Sequence, residues 1–537
     1  MSKSTTRRTR PAHFPPLRPP SAPGNAAFSR AHDHHRAGRL DEAEAGYREA
    51  LRSNPFHADA LHLWGVVAYQ RGQTAPAVER LRKAITLDAS EPAFHNNLGN
   101  ALRDSGDLCA SVSAFERALH LNPRYAEAYN NLSLALRGLG REDAALAALR
   151  RAIDLKPGFA EAHNNLGNGL KDAGDLAGAV SAFERALHLN PHYAEAYNNL
   201  GAALHAAGDA EAASQAFLNA LQLRPDLWDA HFNLGISRLS LGDFEHGWPL
   251  YEAGLRSGAR PPRGLAQPQW DGSPLDGRTL LVHAEQGFGD TLQFVRYLPA
   301  VSARGGSVVF ECQRGLRCAF PDSLGWDILV ERGDEDDAPA VPFDLHVPLL
   351  SLPGLFGTNE ATIPASVPYL RAEPEAVAHW QRLLAPFDGL KVGIVWAGNP
   401  AHRNDRNRSC ALADFAPLAG IGGLTLFSLQ KGPAAVQAGE PPAGMTLVDL
   451  DEDLTDFGQT AAALTALDLV IAVDTSVVHL AGALGKPVWV LLPFAADWRW
   501  LRERDDSPWY PTMRLFRQPA PGDWPGVFAR VVETLCG

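Results

Sequence analysis

The chain has few of the residues that define several common protein classes. Its 537 residues include five cysteines, Cys109, Cys312, Cys318, Cys410 and Cys536, with no CxxC pair and no metal-like spacing. This scarcity excludes a disulfide scaffold, and we expect no bound metal. We also expect free thiols in a reducing compartment, which is typical of a cytoplasmic protein.

The chain also lacks an excess of basic residues and an uninterrupted apolar run. Its formal net charge is -12, whereas binding to nucleic-acid phosphates needs a basic face, so we expect no nucleic-acid partner. The most apolar stretch, residues 467–496, is broken by Asp474, His479 and Lys486 and predicts a buried sheet rather than a transmembrane segment. Residues 1–23 are basic and proline-rich without an apolar core, which predicts a disordered arm rather than a secretory signal.

What the sequence does contain is a 34-residue repeat that keeps its register over seven units. Glycine recurs at Gly38, Gly72, Gly106, Gly140, Gly174, Gly208 and Gly242, and alanine and proline recur at the same interval. A period of this length predicts stacked pairs of helices, that is, an α-solenoid over residues 24–260. One pair is predicted at 126–139 and 142–154, with Pro157 ending the second helix. The glycine of the NNLG motif is predicted to face small residues such as Ala179.

The repeat segments AEAYNNLGAAL and AFERALHLNPHY resemble the tetratricopeptide repeat. Asparagine recurs at one position of the first helix, at Asn97, Asn131, Asn165, Asn199 and Asn233. In the family this position faces the concave groove, where a carboxamide offers a donor and an acceptor to a peptide backbone. The resemblance extends to O-linked N-acetylglucosamine transferases, which use such a ladder to hold protein substrates. Asparagine is also common there in repeats of other functions, so a structural ladder is the alternative.

The second half of the chain predicts an α/β architecture after a proline- and glycine-rich linker at 261–278. Short apolar runs alternate with helical patterns in residues 279–373 and again in residues 374–537. The predicted strands are 279–283, 307–311, 345–350, 391–397, 424–429, 446–450, 469–473 and 488–492. Two doubly wound sheets in tandem bind ligands at the carboxyl ends of their strands.

Three loops in this half carry candidate site residues. The first, HAEQGFGDT, has Gly287 and Gly289, which let the backbone approach a ligand. Asp290 follows at a helix start, where its anionic form is stabilised and can accept a proton. An ordinary helix cap is the alternative interpretation of Asp290. A dinucleotide fingerprint is not favoured, because Leu292 occupies the third glycine position.

The second loop, WAGNPAHRNDRNRS, places Arg403, Arg406 and Arg408 after a predicted strand, where they could neutralise a pyrophosphate. The next strand ends in Gln430 and Lys431, and the lysine adds a positive charge at the same edge. Both segments could equally be solvated surface loops.

The third loop reads DTSVVHLAGALGKP and predicts a phosphate site. Asp474, Thr475 and Ser476 precede or open a helix whose N-terminal N–H groups can bind an anion. His479 shares a helical face with Ser476. The chain has no GxSxG elbow, and Pro487 stands where a P-loop needs serine or threonine, so a hydrolase triad and a P-loop are not favoured.

Together these loops resemble the heptosyltransferase-like glycosyltransferases of the GT-B fold, in which two Rossmann-like domains face each other. The resemblance implies an inverting transfer from a nucleotide-sugar, without a further cofactor, to a protein or glycan acceptor. It also implies a general base at Asp290 and donor binding by Gln430, Lys431, Arg408 and the Asp474–His479 turn. A non-catalytic tetratricopeptide scaffold that has kept a degenerate glycosyltransferase domain is the alternative.

Overall fold

The computed structural model describes residues 25–260, 262–320, 324–333, 339, 341–402 and 404–537. The predicted disordered arm, residues 1–23, and the predicted phosphate-loop residue Arg403 lie outside the described residues. Contacts divide the chain into two compact units. The first unit contains the described residues up to Leu204, together with the short segment Gln222–Arg224. The second unit comprises His205–Leu221 and Pro225–Gly537.

Helices in consecutive pairs form the repeats, as the 34-residue period predicted. They are α1 Asn25–Arg36, α2 Leu40–Ser53, α3 Ala58–Gln70, α4 Thr74–Leu87, α5 Pro92–Ser105, α6 Leu108–Leu121, α7 Ala126–Gly138, α8 Glu142–Leu155, α9 Ala160–Ala173, α10 Leu176–Leu189, α11 Ala194–Ala206, α12 Ala210–Leu223, α13 Trp228–Ser240 and α14 Phe244–Tyr251. The pair predicted at 126–139 and 142–154 is α7 and α8. No helix in the described ranges is long and apolar enough to cross a membrane.

Each helical pair turns at a glycine with a positive φ angle. The seven glycines of the 34-residue series have φ angles between +71° and +90°. Other residues pay about 1–2 kcal/mol to adopt this left-handed conformation. The glycine series therefore marks the turn inside each repeat.

In two repeats the nearest neighbour of the NNLG glycine is an aromatic ring rather than the predicted small residue. A Cβ added to Gly99 would lie 2.6 Å from the Phe115 ring, and one added to Gly167 would lie 2.6 Å from the Phe183 ring. Ala179 is buried in the same cluster as Phe183. The glycine thus creates room for a large ring of the second helix.

Two parallel sheets make up most of the second unit. Their strands are β1 Thr279–His283, β2 Ser307–Cys312, β3 Ile328–Glu331, β4 Leu345–Pro348, β5 Leu390–Val395, β6 Leu424–Ser428, β7 Leu447–Asp449, β8 Leu469–Val473, β9 Val488–Leu492 and β10 Met513–Arg517. The first sheet has the order β3-β2-β1-β4 and the second β10-β9-β8-β5-β6-β7. Numbered from β5 and followed from the β7 edge, the second order is 3-2-1-4-5-6, that of doubly wound folds.

Further helices connect and flank the strands. They are α15 Gly254–Ser257, α16 Phe288–Phe294, α17 Leu298–Ser302, α18 Leu352–Leu355, α19 Pro374–Leu384, α20 Asp405–Arg408, α21 Phe457–Ala466, α22 Ser476–Ala483 and α23 Trp524–Cys536. The eight predicted strands are all present, with ends that differ by two residues at most. Strands β3 and β10 were not predicted, because β3 is largely exposed and arginines interrupt β10.

The last repeat shares a hydrophobic core with the sheets. Trp248 and Tyr251 of α14 contact Trp498, which follows β9, with ring centroids 5.3 and 6.0 Å apart respectively. The compact unit therefore begins at His205, whereas the sequence pattern placed the domain boundary at residue 260. The end of the repeat pattern and the limit of the packed unit are different positions.

The segment predicted as a linker, residues 261–278, is packed onto the first sheet over much of its length. The Trp270 N–H donates to the His346 carbonyl of β4 at 2.8 Å, and Trp270 and Leu275 are buried. A high proline and glycine content therefore does not make this segment a free linker.

Replacing a turn glycine should destabilise the repeats. Gly140→Ala places a side chain at a φ angle of +71° without a steric contact, so we expect a loss of about 1–2 kcal/mol. Gly158→Ala, in the same repeat, is the matched control, because Gly158 also has open space around it and no positive φ angle. Urea unfolding followed by far-UV circular dichroism measures both, and equal losses would contradict the assignment.

Candidate functional site

The loops after β5 and β8 meet at the carboxyl edge of the second sheet. The Arg408 Nη1 atom donates to the Asp474 carbonyl at 3.2 Å. A Cβ added to Gly398 would lie 2.4 Å from the Arg408 guanidinium, so Arg408 lies directly against the backbone at Gly398. Doubly wound sheets bind ligands where the chain leaves two adjacent strands in opposite directions, and β5 and β8 are that pair.

The glycine-rich loop of the first sheet lies directly against the first turn of α22. A Cβ added to Gly289 would lie 2.8 Å from the His479 ring and 3.6 Å from the Ser476 Cα atom. Only glycine allows this approach without moving the ring. The loop carrying Asp290 and the turn carrying Ser476 and His479 therefore form one site.

Asp290 caps a helix, which was the alternative interpretation of this residue, and it also pairs with an arginine. Its Oδ2 atom accepts the Gly287 N–H at 2.9 Å, which caps α16. Its Oδ1 atom accepts a hydrogen bond from Arg499 Nη2 at 2.5 Å. The side chain is 21% exposed, and each carboxylate oxygen has a second lone pair. A capping Asp290 thus keeps acceptor capacity at the surface of the site.

Arg499 is the buried cation at the centre of this site. Besides Asp290, its Nε atom donates to Gln293 Oε1 at 2.7 Å and its Nη1 atom to Asp497 Oδ1 at 2.8 Å. Burial alone would lower the pKa of Arg499, but Asp497 and Asp290 raise it above its usual value. The guanidinium therefore stays charged and fixes two carboxylates.

Asp474 is a half-buried carboxylate on the other side of the site. Burial raises its pKa from 3.8 to about 6, and the negative charge of Asp497 adds to this shift. The Trp500 indole N–H donates to Asp474 Oδ2 at 2.9 Å, which favours the ionised form. Asp474 therefore titrates close to the neutral range.

His479 is an uncharged ring stacked between its neighbours. Its Nδ1 atom lies 3.1 Å from the Tyr510 hydroxyl, its ring stacks on Trp500 with centroids 5.4 Å apart, and its Nε2 atom lies 3.8 Å from Asp474 Oδ1. Burial, with the positive charges of Arg499 and Arg296, holds the pKa of His479 well below its usual value. The imidazole is consequently neutral at pH 7.

Thr475 and Ser476 lie at the start of α22. Both are half-buried, and Ser476 is the first residue of the helix. The Thr475 hydroxyl is buried and has no hydrogen-bond partner in the described part of the chain. Since buried polar groups are normally paired, this hydroxyl and the N–H groups of the first turn are candidate donors to a bound anion.

Gln430 and Lys431 make contacts that differ from the predicted donor contacts. Gln430 is 2% exposed, and its amide bonds the backbone of Trp396, Ala397 and Lys431. It therefore joins the loops after β5 and β6 and presents no polar atom to a ligand. Lys431 is exposed and pairs with Asp451 at 2.5 Å.

Sequence reasoning missed the loop after β9, which supplies Asp497 and Arg499. The segment DWRW follows a predicted strand, as the three chosen loops do, and its charged residues between tryptophans were the available signal. His402 was also missed. Burial and Arg408 lower the pKa of His402 while Asp497 and Asp290 oppose this, so the ring shares the electrostatic field of the site. Arg406 of the same loop is exposed.

The predicted asparagine ladder is tied into hydrogen bonds between repeats. The Nδ2 atoms of Asn131, Asn165 and Asn199 donate to the Oδ1 atoms of Asn96, Asn130 and Asn164 of the preceding repeat, at 3.0, 2.8 and 2.9 Å. First helices of successive repeats also contact each other. Each of these three amides thus uses one N–H to hold its neighbour, and its oxygen accepts no hydrogen bond from the described residues.

The ends of the ladder differ from its middle. Asn97 is buried and its amide lies 2.9 Å from His62 Nε2. Asn233 is half-buried on α13 and has interactions of its own. The three central residues are consequently the best candidates for contact with a bound chain. Among the described residues, no group of three His, Cys, Asp or Glu side chains is arranged to hold a metal.

Profiles of the tetratricopeptide repeat family match residues 96–158 and 194–227, and a further TPR repeat profile matches residues 65–106 and 167–208. The helical pairs are therefore tetratricopeptide repeats. Protein FlbA of Caulobacter vibrioides is 29% identical over 318 residues, which cover 54% of this chain and 52% of that protein. The chain thus spans about half the length of this relative.

Solved structures similar to the chain include those of MamA and YrrB. MamA is 28% identical, with a TM-score of 0.29, and covers 32% of this chain and 94% of its own. YrrB, described as a TPR protein with an unusual peptide-binding site, is 24% identical with a TM-score of 0.29 and covers 34% of this chain and 95% of its own.

Removing Asp474 should change how stability depends on pH. The folded protein keeps this proton up to about pH 6, while the unfolded chain loses it near 3.8. The contribution is therefore complete below pH 3.8 and is lost as the pH rises through 6. Relative to Asp474→Asn, the wild type should lose about 3 kcal/mol of unfolding free energy across this window.

Urea unfolding followed by tryptophan fluorescence measures this difference, because eleven of the twelve tryptophans lie in the second unit. Parallel curves for the two proteins between pH 4 and pH 7 would contradict the assignment.

Proposed function

We propose that the protein is a glycosyltransferase of the GT-B type that moves a sugar from a nucleotide-sugar to a protein or glycan acceptor. One observation carries the proposal. Gly289 approaches His479 and Ser476 so closely that Asp290 and the N-terminus of α22 border the same space. A proton acceptor and an anion-binding helix end are the two groups that inverting transfer from a sugar diphosphate requires.

The donor diphosphate binds at the start of α22. There the N–H groups of the first turn, the Ser476 hydroxyl and the unpaired Thr475 hydroxyl face an anion. Arg408, held between Gly398 and the Asp474 carbonyl, supplies a fixed positive charge. Charge that develops on the leaving diphosphate is stabilised by these preset groups, which take the part of a metal.

The acceptor hydroxyl is activated by Asp290. Its oxygen attacks the anomeric carbon of the sugar, the bond from that carbon to the diphosphate oxygen breaks, and the hydroxyl proton passes to Asp290. A single displacement of this kind inverts the anomeric centre. Arg499 and the Gly287 N–H hold the carboxylate in one orientation, which favours a fixed line of attack.

The acceptor is delivered by the repeat groove. Tetratricopeptide repeats offer extended surfaces for proteins and peptides, and the oxygens of Asn131, Asn165 and Asn199 are open acceptors for backbone N–H groups. The reaction needs no further cofactor, and we place the protein in the cytoplasm, where nucleotide-sugars and reduced thiols coexist.

Two substitutions should affect donor binding and turnover separately. Asp290→Asn should lower turnover about 10²- to 10⁴-fold, because a general base is lost, and should keep the thermal stabilisation by nucleoside diphosphates. Arg408→Ala should lose that stabilisation, which amounts to about 2.7 kcal/mol when the nucleotide is a hundredfold above its Kd. The measurements are product mass analysis with a donor panel and thermal unfolding with nucleotides.

Arg406→Ala is the matched control, since this arginine lies in the same helix, α20, and is exposed. It should retain the stabilisation. If no nucleotide stabilises the wild type, the transferase proposal fails, and the alternative, a scaffold with a degenerate catalytic half, is favoured.

Alanine at the central ladder positions should weaken acceptor binding. Replacing Asn131, Asn165 and Asn199 together removes about 0.5–1.5 kcal/mol for each hydrogen bond to a bound backbone, so we expect at least a tenfold loss. Binding of the purified proteins to a peptide array measures it without requiring turnover.

The control replaces Asn96, Asn130 and Asn164 by alanine, which breaks the same bonds between repeats and leaves the ladder in place. Equal effects of the two triple variants would show that the ladder serves the solenoid and not a ligand.

A further inference from the structure

A single turn after β9 contacts both the repeats and the candidate site. At its start, the Phe494 ring lies 2.6 Å from the position of a Cβ added to Gly208, the turn glycine before α12. At its end, Arg502 donates to the Gly208 carbonyl. Residues 494–502 are here called the Trp498 turn. Both ends of this turn therefore contact the same repeat residue, Gly208.

The middle of the Trp498 turn is wedged into an aromatic cluster. Trp498 is buried, and its ring meets Trp248 edge-on at 5.3 Å, Tyr251 at 6.0 Å and Trp509 at 6.1 Å between centroids. Trp248 itself is fixed by an indole hydrogen bond of 2.8 Å to the Thr358 carbonyl. Side chains packed at this density hold one rotamer, so α14 determines where Trp498 lies.

The two residues that follow this anchor reach the two halves of the site. Arg499 pairs with Asp290 and with Gln293, both on α16. Trp500 donates to Asp474 and stacks on His479. Because Arg499 and Trp500 follow Trp498 directly in the chain, no flexible segment separates the anchor from these contacts.

A second link joins the end of the repeats to the glycine-rich loop. Arg260 is fully buried and donates to Glu252, which follows α14, and to Glu285, both at 2.8 Å. Glu285 opens the loop that ends in Asp290. The end of the repeats thus reaches the Asp290 loop by an ion-pair path as well as by the aromatic path.

We propose that the last repeat helix, α14, positions the Asp290 carboxylate through Trp498 and Arg499. Arg499 is a positioning residue, and Trp248 and Tyr251 form the surface that holds the preceding residue, Trp498. The final repeat is then part of the reaction centre and not only part of the acceptor groove. The kinetic side of this inference rests on the proposed transferase function, but its structural side does not.

The test compares two buried tryptophans of the second unit. Trp248→Ala removes the anchor, whereas Trp380→Ala removes an equally buried indole between α19 and α21 that bonds Gln459. Hydrogen exchange of the full-length protein should increase at residues 286–294 and 497–501 in Trp248→Ala only. Trp248→Phe should restore most of the protection, because a ring again fills the contact with Trp498.

Where turnover is measurable, Trp248→Ala should lower kcat by about 10- to 100-fold, since a shift of about 1 Å costs that much. The donor KM should rise as well, because Trp500 follows Trp498 and holds Asp474 and His479 on the donor side. Arg499→Lys keeps the charge, loses the planar fork and leaves Trp498 and Trp500 in place. For this variant kcat should fall while the donor KM stays within about threefold, whereas a general loss of structure would change both constants. This variant is informative even if Trp248→Ala does not fold.

Equal exchange at 286–294 in Trp248→Ala and Trp380→Ala would overturn the positioning proposal. So would an Arg499→Lys protein with wild-type kcat. Failure of the transferase function is distinguishable, because it would appear as absence of any nucleotide response in the wild type while the exchange difference between the two tryptophan variants persists.

Discussion

The buried guanidinium of Arg499 is the interaction on which the arrangement of the candidate site depends. A buried cation is costly unless it is paired, and Asp290, Asp497 and Gln293 together satisfy it. Because Asp290 belongs to the first sheet region and Arg499 follows a strand of the second, this pairing fixes the two regions in one register. The need to pair the Arg499 charge therefore holds the Asp290 helix against the turn after β9.

In both the solenoid and the sheet region, a glycine stands where two elements pack closely together. Gly167 admits a phenyl ring between the helices of a repeat, and Gly289 admits the His479 ring between the two sheet regions. In both places a missing side chain lets two rigid elements touch without distortion. Glycine thus determines which elements are neighbours, while the aromatic residues supply the buried area that stabilises the contact.

The sequence predicted the repeats, eight of the ten described strands and the loops around Asp290, Arg408 and Ser476, because periodicity and apolar runs are local signals. It could not predict the contact of Asp290 with Arg499, since these residues are 209 positions apart. It also did not predict that the Gln430 amide would be fully used in hydrogen bonds to the backbone, or that residues 261–278 would pack onto the first sheet. Those outcomes depend on which loops become neighbours, and that is decided by tertiary packing.

The amide pairs between repeats have a consequence for what the spiral can recognise. Since one of the two N–H groups of each central ladder amide is already committed to the preceding repeat, its oxygen and its second N–H are left to face a guest. Both groups match the hydrogen-bonding groups of a main chain, so the row is indifferent to side-chain identity. A proline tract, which has carbonyl oxygens but no N–H groups, would leave the ladder oxygens unpaired.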